Sequence, residues 1–595
     1  METMKSRPAT SLRLSLLCNA FNSMTQRIYL ECVELGHDTE IVIFDETEEA
    51  LQTIATLQPD LIICPFLTKR IPIEMYSNTP CLIVHPGIEG DRGMSSIDWA
   101  LLENASQWGV TILQAEEEMD AGDIWSTNNF PIERRYGGAP TKSSLYRFEC
   151  IHAAVKGIRQ ALENYAKEIP PRPLDYTNPD VKGTLRPRMT NSDRQVDWLR
   201  SAGEIVRIIN ASDSQPGVLD SLANEKYFLF GAHEEKVLDL SSYSSEIHAI
   251  LAQRYGAILI RCGQGSAVWI THLKKMNNKN EKSFKLPATM VLPAEIVQTI
   301  PIVPEQGLLI KFGSMPRTFQ EIFCWQDETI AYLWFDFYNG AMSTDQCVRL
   351  SAAIDQTLAT ISGKILVLMG GFSFFSNGIH LNTIEAANDP AKESWDNINA
   401  IDDVVFRILT CKSRWTISAL QGNAGAGGVM AAIAADSVVA HPDVVLNPSY
   451  KAMNLYGSEY WTFSLPNRVG NERAEELTNS TNPVSARQAV KIGLIDQILG
   501  SEFNTFFDSV QEYAQTLAKN PNLDDMIAGK QVNVDLSFNE RITQHRNNEL
   551  EQMKDCFADP MYHGKRRAFV YKSKYLPCVA SSMQKGSNGC KYRNC

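Results

Sequence analysis

Two separate stretches of the chain repeat one grammar: a short apolar strand, an amphipathic helix, then another apolar strand ending in a tight turn. Strand segments at 12–18, 40–44, 60–64 and 81–84 alternate with helical segments at 25–34 and 50–57. The pattern returns from residue 330, with strands at 331–337, 365–369 and 417–420 and helices at 404–410 and 429–435. That alternation constrains the fold to α/β with largely parallel sheets, whose ligands lie beyond the carboxyl ends of the strands. Between the two stretches, Pro170, Pro171, Pro173 and Pro179 mark a connection. Short alternating runs at 257–261 and 267–271 then predict a small β-barrel, and a polar segment at 279–303 leads onward. A charged helix at 539–557 carries apolar residues at Ile542, Leu550, Met553 and Phe557. The expected organisation is a parallel-sheet domain over 1–180, a β-barrel over 183–293, an α/β domain over 304–510, a helical extension over 511–575 and a disordered tail over 576–595.

With 595 residues the chain exceeds one core. Its net charge of −13 lacks the basic field that nucleic-acid binding requires. Thirteen Cys in an odd number, with no CxxC pair, point to reduced thiols in a cytoplasmic protein and away from a disulfide scaffold or zinc ribbon. No metal site is expected. No run approaches 18 uninterrupted apolar residues, so no membrane partner is expected either.

The first motif set is His85-Pro86-Gly87, Asp91-Arg92-Gly93, Ile97-Asp98-Trp99-Ala100, Trp108-Gly109-Val110-Thr111 and Met119-Asp120-Ala121-Gly122-Asp123. A His directly after a buried strand, with an Asp in a Gly-bearing turn, suits a general acid/base and its orienting carboxylate. A strand-capping His and a turn-shaping Asp are the alternative. This order resembles the folate-dependent formyltransferases such as methionyl-tRNA formyltransferase. Arg186-Pro187-Arg188, Asp193, Val196-Asp197-Trp198 and 211–217 resemble that family's carboxyl-terminal β-barrel. The resemblance implies N10-formyltetrahydrofolate as formyl donor, His85 managing the proton and the oxyanion, and Asp120 positioning His85. One position departs: Ile83 stands where that family carries an Asn whose amide supports the tetrahedral intermediate. Losing such a donor costs about 2.7–4 kcal/mol, so an unusual acceptor or a degenerate site is implied.

The second set is two Gly-bearing turns about 45 residues apart, each after an apolar strand: 369–381, containing Gly378-Ile379-His380, and 421–428, containing Gly425-Ala426-Gly427-Gly428. Gly lets backbone N–H groups approach a ligand oxygen, and two such groups can hold a thioester oxyanion. The pair is similar to the crotonase (enoyl-CoA hydratase/isomerase) family over 330–499. That resemblance implies an acyl-CoA ligand and the N–H groups of Ile379 and Gly427 as oxyanion donors. Met430 and Ser449 stand where hydratases carry their two Glu, which removes water addition to an enoyl-CoA. Tyr450 and Glu459 are the nearest replacements; aromatic packing with a surface Glu is the other reading. His380 reads as structural.

A formyltransferase half followed by a crotonase half resembles the HypX (HoxX) family of hydrogenase maturation proteins. The strings that carry it are Asn19-Ala-Phe-Asn-Ser-Met-Thr-Gln26-Arg27, Val84-His-Pro-Gly, Gly90-Asp-Arg-Gly and Tyr456-Gly-Ser-Glu-Tyr-Trp-Thr462. The resemblance implies formyl transfer to coenzyme A and decarbonylation of formyl-CoA, with carbon monoxide passed to the hydrogenase maturation machinery. Coenzyme A phosphates call for Arg forks and polar donors. Arg147, Arg468, Arg566 and Arg567 are the candidates, with Gln26, Ser214 and Gln215 completing such a site; each alone is also an ordinary surface or capping residue. A formyltransferase acting on a small-metabolite amine beside an acyl-CoA-binding half, and a non-catalytic CoA/folate scaffold, remain as alternatives.

Overall fold

In the computed structural model, residues 11–573 are described except 135, 137, 278–281, 501 and 503–504. The expected tail over 576–595 lies outside the described residues. The chain divides into two compact units. The first comprises the described residues up to Glu133 together with Lys142–Thr190; the second comprises Arg134–Thr141 and the chain from Asn191 onward.

The first unit is built on one six-stranded sheet: β1 (Arg13–Cys18), β2 (Asp38–Ile43), β3 (Leu61–Cys64), β4 (Cys81–His85), β5 (Gln107–Gln114) and β6 (Ile124–Pro131), in the order β2-β1-β3-β4-β5-β6. The first four strands run parallel, as their spacing predicts. All four residues of β3 are buried, the continuous apolar run typical of a strand covered on both faces. The last two strands depart from the expected parallel sheet: β5 is antiparallel to β4, and β6 to β5. Nine residues join β5 to β6, too few for the helical crossover that a parallel pair needs. Helix Ser23–Glu34 opens on Asn22, whose side chain accepts from the Thr25 N–H. The Pro-rich stretch does not end this unit. Residues beyond it fold back: Leu185 bridges Arg92, and the Gly183 N–H donates to the Glu89 carbonyl.

The second unit contains three sheets. One is antiparallel: β7 (Val218–Leu222), β8 (Glu225–Glu234), β9 (Ile250–Arg254), β10 (Ala257–Arg261), β11 (Ala267–Lys275) and β12 (Leu286–Pro287), in the order β7-β8-β11-β10-β9 with β12 on β11. Its core closes on helix Ala202–Ala211 through Ile205 and Ile209. The larger α/β sheet has the order β13-β14-β15-β17-β19-β22, with β13 (Ile322–Asp327), β14 (Ile330–Phe335), β15 (Ile365–Met369), β17 (Trp415–Leu420), β19 (Ser437–Ala440) and β22 (Gln497–Ile498). It is parallel apart from the β13–β14 hairpin. The third sheet is short: β16 (Phe374–Ser376), β18 (Asn423–Gly425), β20 (Val445–Asn447) and β21 (Val484–Ser485). Helix Leu536–Ala558 buries Ile542, Leu550, Met553 and Phe557 in the same core as helix Pro390–Leu409. Among the described residues no helix is long and apolar enough to cross a membrane.

Candidate active sites

In the first unit, β4 ends on His85, and the turn beyond it is pinned from three sides. Ser96 Oγ and Trp108 Nε1 donate to the Pro86 carbonyl at 2.7 and 2.9 Å, and Thr111 Oγ1 donates to the Gly87 carbonyl at 3.0 Å. The expected Trp-Gly-Val-Thr string therefore works as a support for the His turn. Gly87 is required by space: a β-carbon there would stand 2.4 Å from His85 Nε2 and 2.5 Å from Asp91 Oδ2.

His85 sits between two carboxylates. Its Nε2 is 2.9 Å from Asp91 Oδ2, while its Nδ1 is 3.8 Å from Asp120 Oδ2. The expected orienting residue, Asp120, is thus the more distant of the two. It occupies the β5–β6 turn with φ +55° and accepts from the Gly93 N–H at 3.1 Å. Asp91 is the residue that sequence reasoning left without a role, although it lies in the quoted Gly90-Asp-Arg-Gly string. Arg92 holds the same turn, donating to the Met119 carbonyl and to Glu118. Burial works against a charged ring at His85, but the Asp91 hydrogen bond and the charges of Asp120 and Asp91 outweigh it, and its pKa is raised. The surroundings of His85 therefore favour its protonated ring. Ile83 lies half-buried against the apolar cluster of Leu17, Ile62 and Cys81.

In the second unit, the two Gly-bearing turns converge because β16 and β18 are neighbouring parallel strands, with Phe374 opposite Asn423 and Ser376 opposite Ala424. Each turn leaves the same end of its strand. A β-carbon on Gly378 would lie 3.4 Å from the Gly427 amide nitrogen. Gly427 is the first residue of helix Gly427–Ile433, where the N–H has no acceptor within the helix. His380 caps the following helix, its Nδ1 accepting from the Thr383 N–H.

Glu459 is buried, not a surface residue, and its carboxyl reaches this turn: a β-carbon on Gly427 would stand 2.0 Å from Glu459 Oε1. Glu459 Oε2 accepts from Tyr450 OH at 2.9 Å and from the Ser458 N–H at 3.1 Å. Burial, and then the nearby charge of Asp402, raise the Glu459 pKa; burial, and then Glu459 itself, raise that of the Tyr450 phenol. A carboxyl so placed is a stronger base than one in water, with a phenol fixing its orientation. Met430 is fully buried, and Ser449 Oγ donates to the Thr478 carbonyl, so neither hydratase position carries an acid.

The remaining candidates scatter. Gln26 donates to the Phe21 carbonyl one turn beyond Asn22, whose amide donates to Tyr146 OH, next to the half-buried Arg147. Ser214 is half-buried and Gln215 exposed, and the Ser214 carbonyl accepts from Lys285. Arg566 is buried and pairs with Glu385 at 2.8 Å, while the exposed Arg567 reaches the same carboxylate at 3.2 Å. The structure does not bring Arg468 to the oxyanion turn. It donates to the Ile433 and Ala435 carbonyls and faces Asp496, capping the far end of helix Gly427–Ile433, about 10 Å from Gly427 at 1.5 Å per residue.

Three family matches follow this architecture: formyl transferase over residues 44–147, formyl transferase C-terminal domain over 188–284, and enoyl-CoA hydratase/isomerase over 339–575. The hydrogenase maturation factor HoxX of Bradyrhizobium diazoefficiens is 38% identical over 567 residues, spanning 94% of this chain and 95% of its own. This chain belongs to the HypX/HoxX family of hydrogenase maturation factors. The crystal structure of HypX from Aquifex aeolicus in complex with tetrahydrofolic acid superposes with a TM-score of 0.86 at 37% identity, covering 94% of this chain and 96% of that one. Methionyl-tRNA formyltransferase of Marinobacter nauticus is 28% identical over 244 residues, 39% of this chain. Within the HypX/HoxX family, then, the formyltransferase and crotonase signatures belong to one continuous chain.

Proposed function

We propose that this chain transfers a formyl group from N10-formyltetrahydrofolate to coenzyme A and then cleaves formyl-CoA to carbon monoxide and coenzyme A. In this reading it is a cytoplasmic enzyme supplying the carbon monoxide ligand of a [NiFe]-hydrogenase centre to the maturation machinery. In the first step the thiol sulfur bonds to the formyl carbon, the N10–carbon bond breaks, and the thiol proton ends on N10. A thiol, with an ordinary pKa near 8.5, attacks as thiolate without a strong base. His85, whose protonated form Asp91 and Asp120 favour, faces the developing oxyanion and compensates for the amide that Ile83 does not offer.

In the second step the N–H groups of Ile379 and Gly427 polarise the thioester carbonyl. The Glu459 carboxylate takes the formyl proton. The C–H electron pair remains on carbon, completing carbon monoxide as the C–S bond breaks and its pair leaves on sulfur. Glu459 then returns the proton to the thiolate, so no outside reactant is consumed. Formyl-CoA has no α-carbon, which is why hydratase carboxylates at Met430 and Ser449 have nothing to act on. The observation that carries the reading is the Glu459 carboxyl pressed against the Gly427 turn with Tyr450 OH on its other oxygen.

The test is incubation with N10-formyltetrahydrofolate and coenzyme A under headspace carbon monoxide detection. Glu459→Gln and Tyr450→Phe are expected to slow gas release from supplied formyl-CoA by about 10²–10⁴-fold. A stable formylated amine with no gas release would replace this reading with the amine-acceptor one.

A further inference from the structure

Glu459 and Tyr460 are consecutive non-glycine residues in the left-handed region, with φ +60° and +59°. Side chains resist that conformation, and two in succession persist only where the surroundings impose them. Here the imposition comes from two buried carboxyls on two different helices. Asp402, on helix Pro390–Leu409, accepts the Glu459 N–H on Oδ1 at 2.8 Å and the Ser458 hydroxyl on Oδ2 at 2.8 Å. Glu549, on helix Leu536–Ala558, accepts the Tyr460 N–H on Oε2 at 2.9 Å and the Thr462 N–H on Oε1 at 2.8 Å. Thr462 Oγ1 adds a further donor at 2.5 Å. Asp402 and Glu549 are both fully buried, and burying two acids is costly unless their bonds serve a purpose.

We propose that Asp402 and Glu549 are positioning residues: by gripping the N–H groups of Glu459, Tyr460 and Thr462 they hold the strained Ser458–Thr462 backbone that aims the Glu459 carboxyl at the Gly427 turn. The inference rests on the reading of Glu459 as proton acceptor. It assigns a positioning purpose to helix Leu536–Ala558, whose apolar residues lie in the core. That helix reaches the clamp twice, since Arg546, one turn before Glu549, brings its Nε within 3.5 Å of Asp402 Oδ2. Without the clamp the backbone is free to relax to negative φ, and the carboxyl leaves the turn. A misplacement of about 1 Å at a reacting group costs on the order of 10²-fold in rate.

The experiment measures kcat and KM for carbon monoxide release from supplied formyl-CoA with full-length Asp402→Ala, Glu549→Ala, Asp402→Asn and Glu459→Gln, each checked for folding by circular dichroism. Asp402→Ala and Glu549→Ala should each lose about 10²-fold in kcat with little change in KM. On the Glu459→Gln background the same substitutions should cost almost nothing further, because they act through a carboxylate already removed. Asp402→Asn keeps an oxygen for the Glu459 N–H and should retain most of kcat. It also removes one of the negative charges around Glu459, whose other charged and titratable neighbours are Tyr450, Glu549 and the Cys347 thiol, while Arg546 and Asp403 face Asp402 itself. The ascending limb of the pH–kcat profile should therefore move to lower pH, while the retained kcat separates loss of the backbone grip from loss of the charge.

Wild-type kcat in folded Asp402→Ala and Glu549→Ala, or losses that add in full to that of Glu459→Gln, would overturn the clamp alone. If Glu459→Gln itself releases gas at the wild-type rate, the reading of Glu459 falls and the clamp falls with it. If the alanine variants do not fold, Asp402→Asn on the wild-type and Glu459→Gln backgrounds decides the matter: a kcat loss that adds in full to that of Glu459→Gln rejects the proposal.

Discussion

The carboxyl of Glu459 occupies the space that a side chain at position 427 would need, with Oε1 2.0 Å and the carboxyl carbon 2.4 Å from an ideal β-carbon there. A contact under 3 Å can be relieved only if one partner moves. Glu459 is held on its other oxygen by Tyr450 and along its backbone by Asp402, so it has no slack. Gly427→Ala should therefore push the carboxyl away from the oxyanion turn or distort the turn itself. The expected outcome is a loss of about 10²-fold in carbon monoxide release from supplied formyl-CoA, in a protein that still folds. Comparison of kcat with the thermal melting curve checks it.

At the other site the imidazole, not the backbone, is the tuned element. Asp91 is the nearer carboxylate to His85 and supplies both a hydrogen bond and a charge that favour the protonated ring. Asp91→Asn should lower the His85 pKa more than Asp120→Asn does, read as the midpoint of the His85 ring resonances in an NMR titration. The linked stability follows in sign. A raised His pKa stabilises the fold fully below the unfolded value of about 6.5, and that contribution is lost as pH rises through the folded pKa. Wild type should thus lose more stability than Asp91→Asn across the pH range just above 6.5.

The parallel strands β1–β4 were legible because their residues form short apolar runs broken by helical spacing; the antiparallel β5 and β6 were not, because strand direction depends on a connection length that the hydrophobic pattern does not report. His85, Asp120, Ile379 and Gly427 could be named because each sits in a motif whose neighbours repeat a known order. Asp402, Glu549 and Asp91 could not be given roles in the same way. Asp402 and Glu549 lie on helices far from Glu459 in sequence, and a buried acid that bonds backbone N–H groups and hydroxyls of a distant loop leaves no spacing signature. Glu459 itself was readable as a candidate, but its burial was not, since nothing in Tyr456-Gly-Ser-Glu-Tyr-Trp separates an inward carboxyl from an outward one.

Arg468 gives the sharpest contrast between an available cation and an engaged one. Its guanidinium donates to the last carbonyl of helix Gly427–Ile433 and to that of Ala435 beyond it, and faces Asp496 at 3.2 Å. Arg468→Ala should lower stability by about 1–3 kcal/mol, through carbonyls left without a charged donor. The KM for coenzyme A should not change. Denaturant unfolding together with steady-state kinetics separates the two effects, and a raised KM at wild-type stability would return Arg468 to the ligand site.

Glu549 allows a pH test of the clamp that needs no substrate. Burial, and then the charge of Asp402, push its pKa up to about 8, against the hydrogen bonds from Thr462 and Tyr460 that pull it down. An acid whose folded pKa lies above its unfolded value of about 4.5 holds its proton more tightly in the folded state, so folding becomes less favourable as pH rises between those two values. Each pH unit in that window costs up to about 1.4 kcal/mol per group, and nothing further is lost once both states are ionised. Glu549→Gln removes the titration while keeping an oxygen for the Tyr460 or Thr462 N–H. Its amide places donors where a carboxyl oxygen stood, so it should be less stable than wild type at pH 5. The gap should close as pH is raised to 8, because only wild type has a carboxyl at 549 that ionises in the unfolded chain while the folded state keeps its proton. Melting temperatures of both proteins, taken at intervals across that range, test this. A gap that stays constant means that the folded state does not hold the Glu549 proton more tightly than the unfolded chain does.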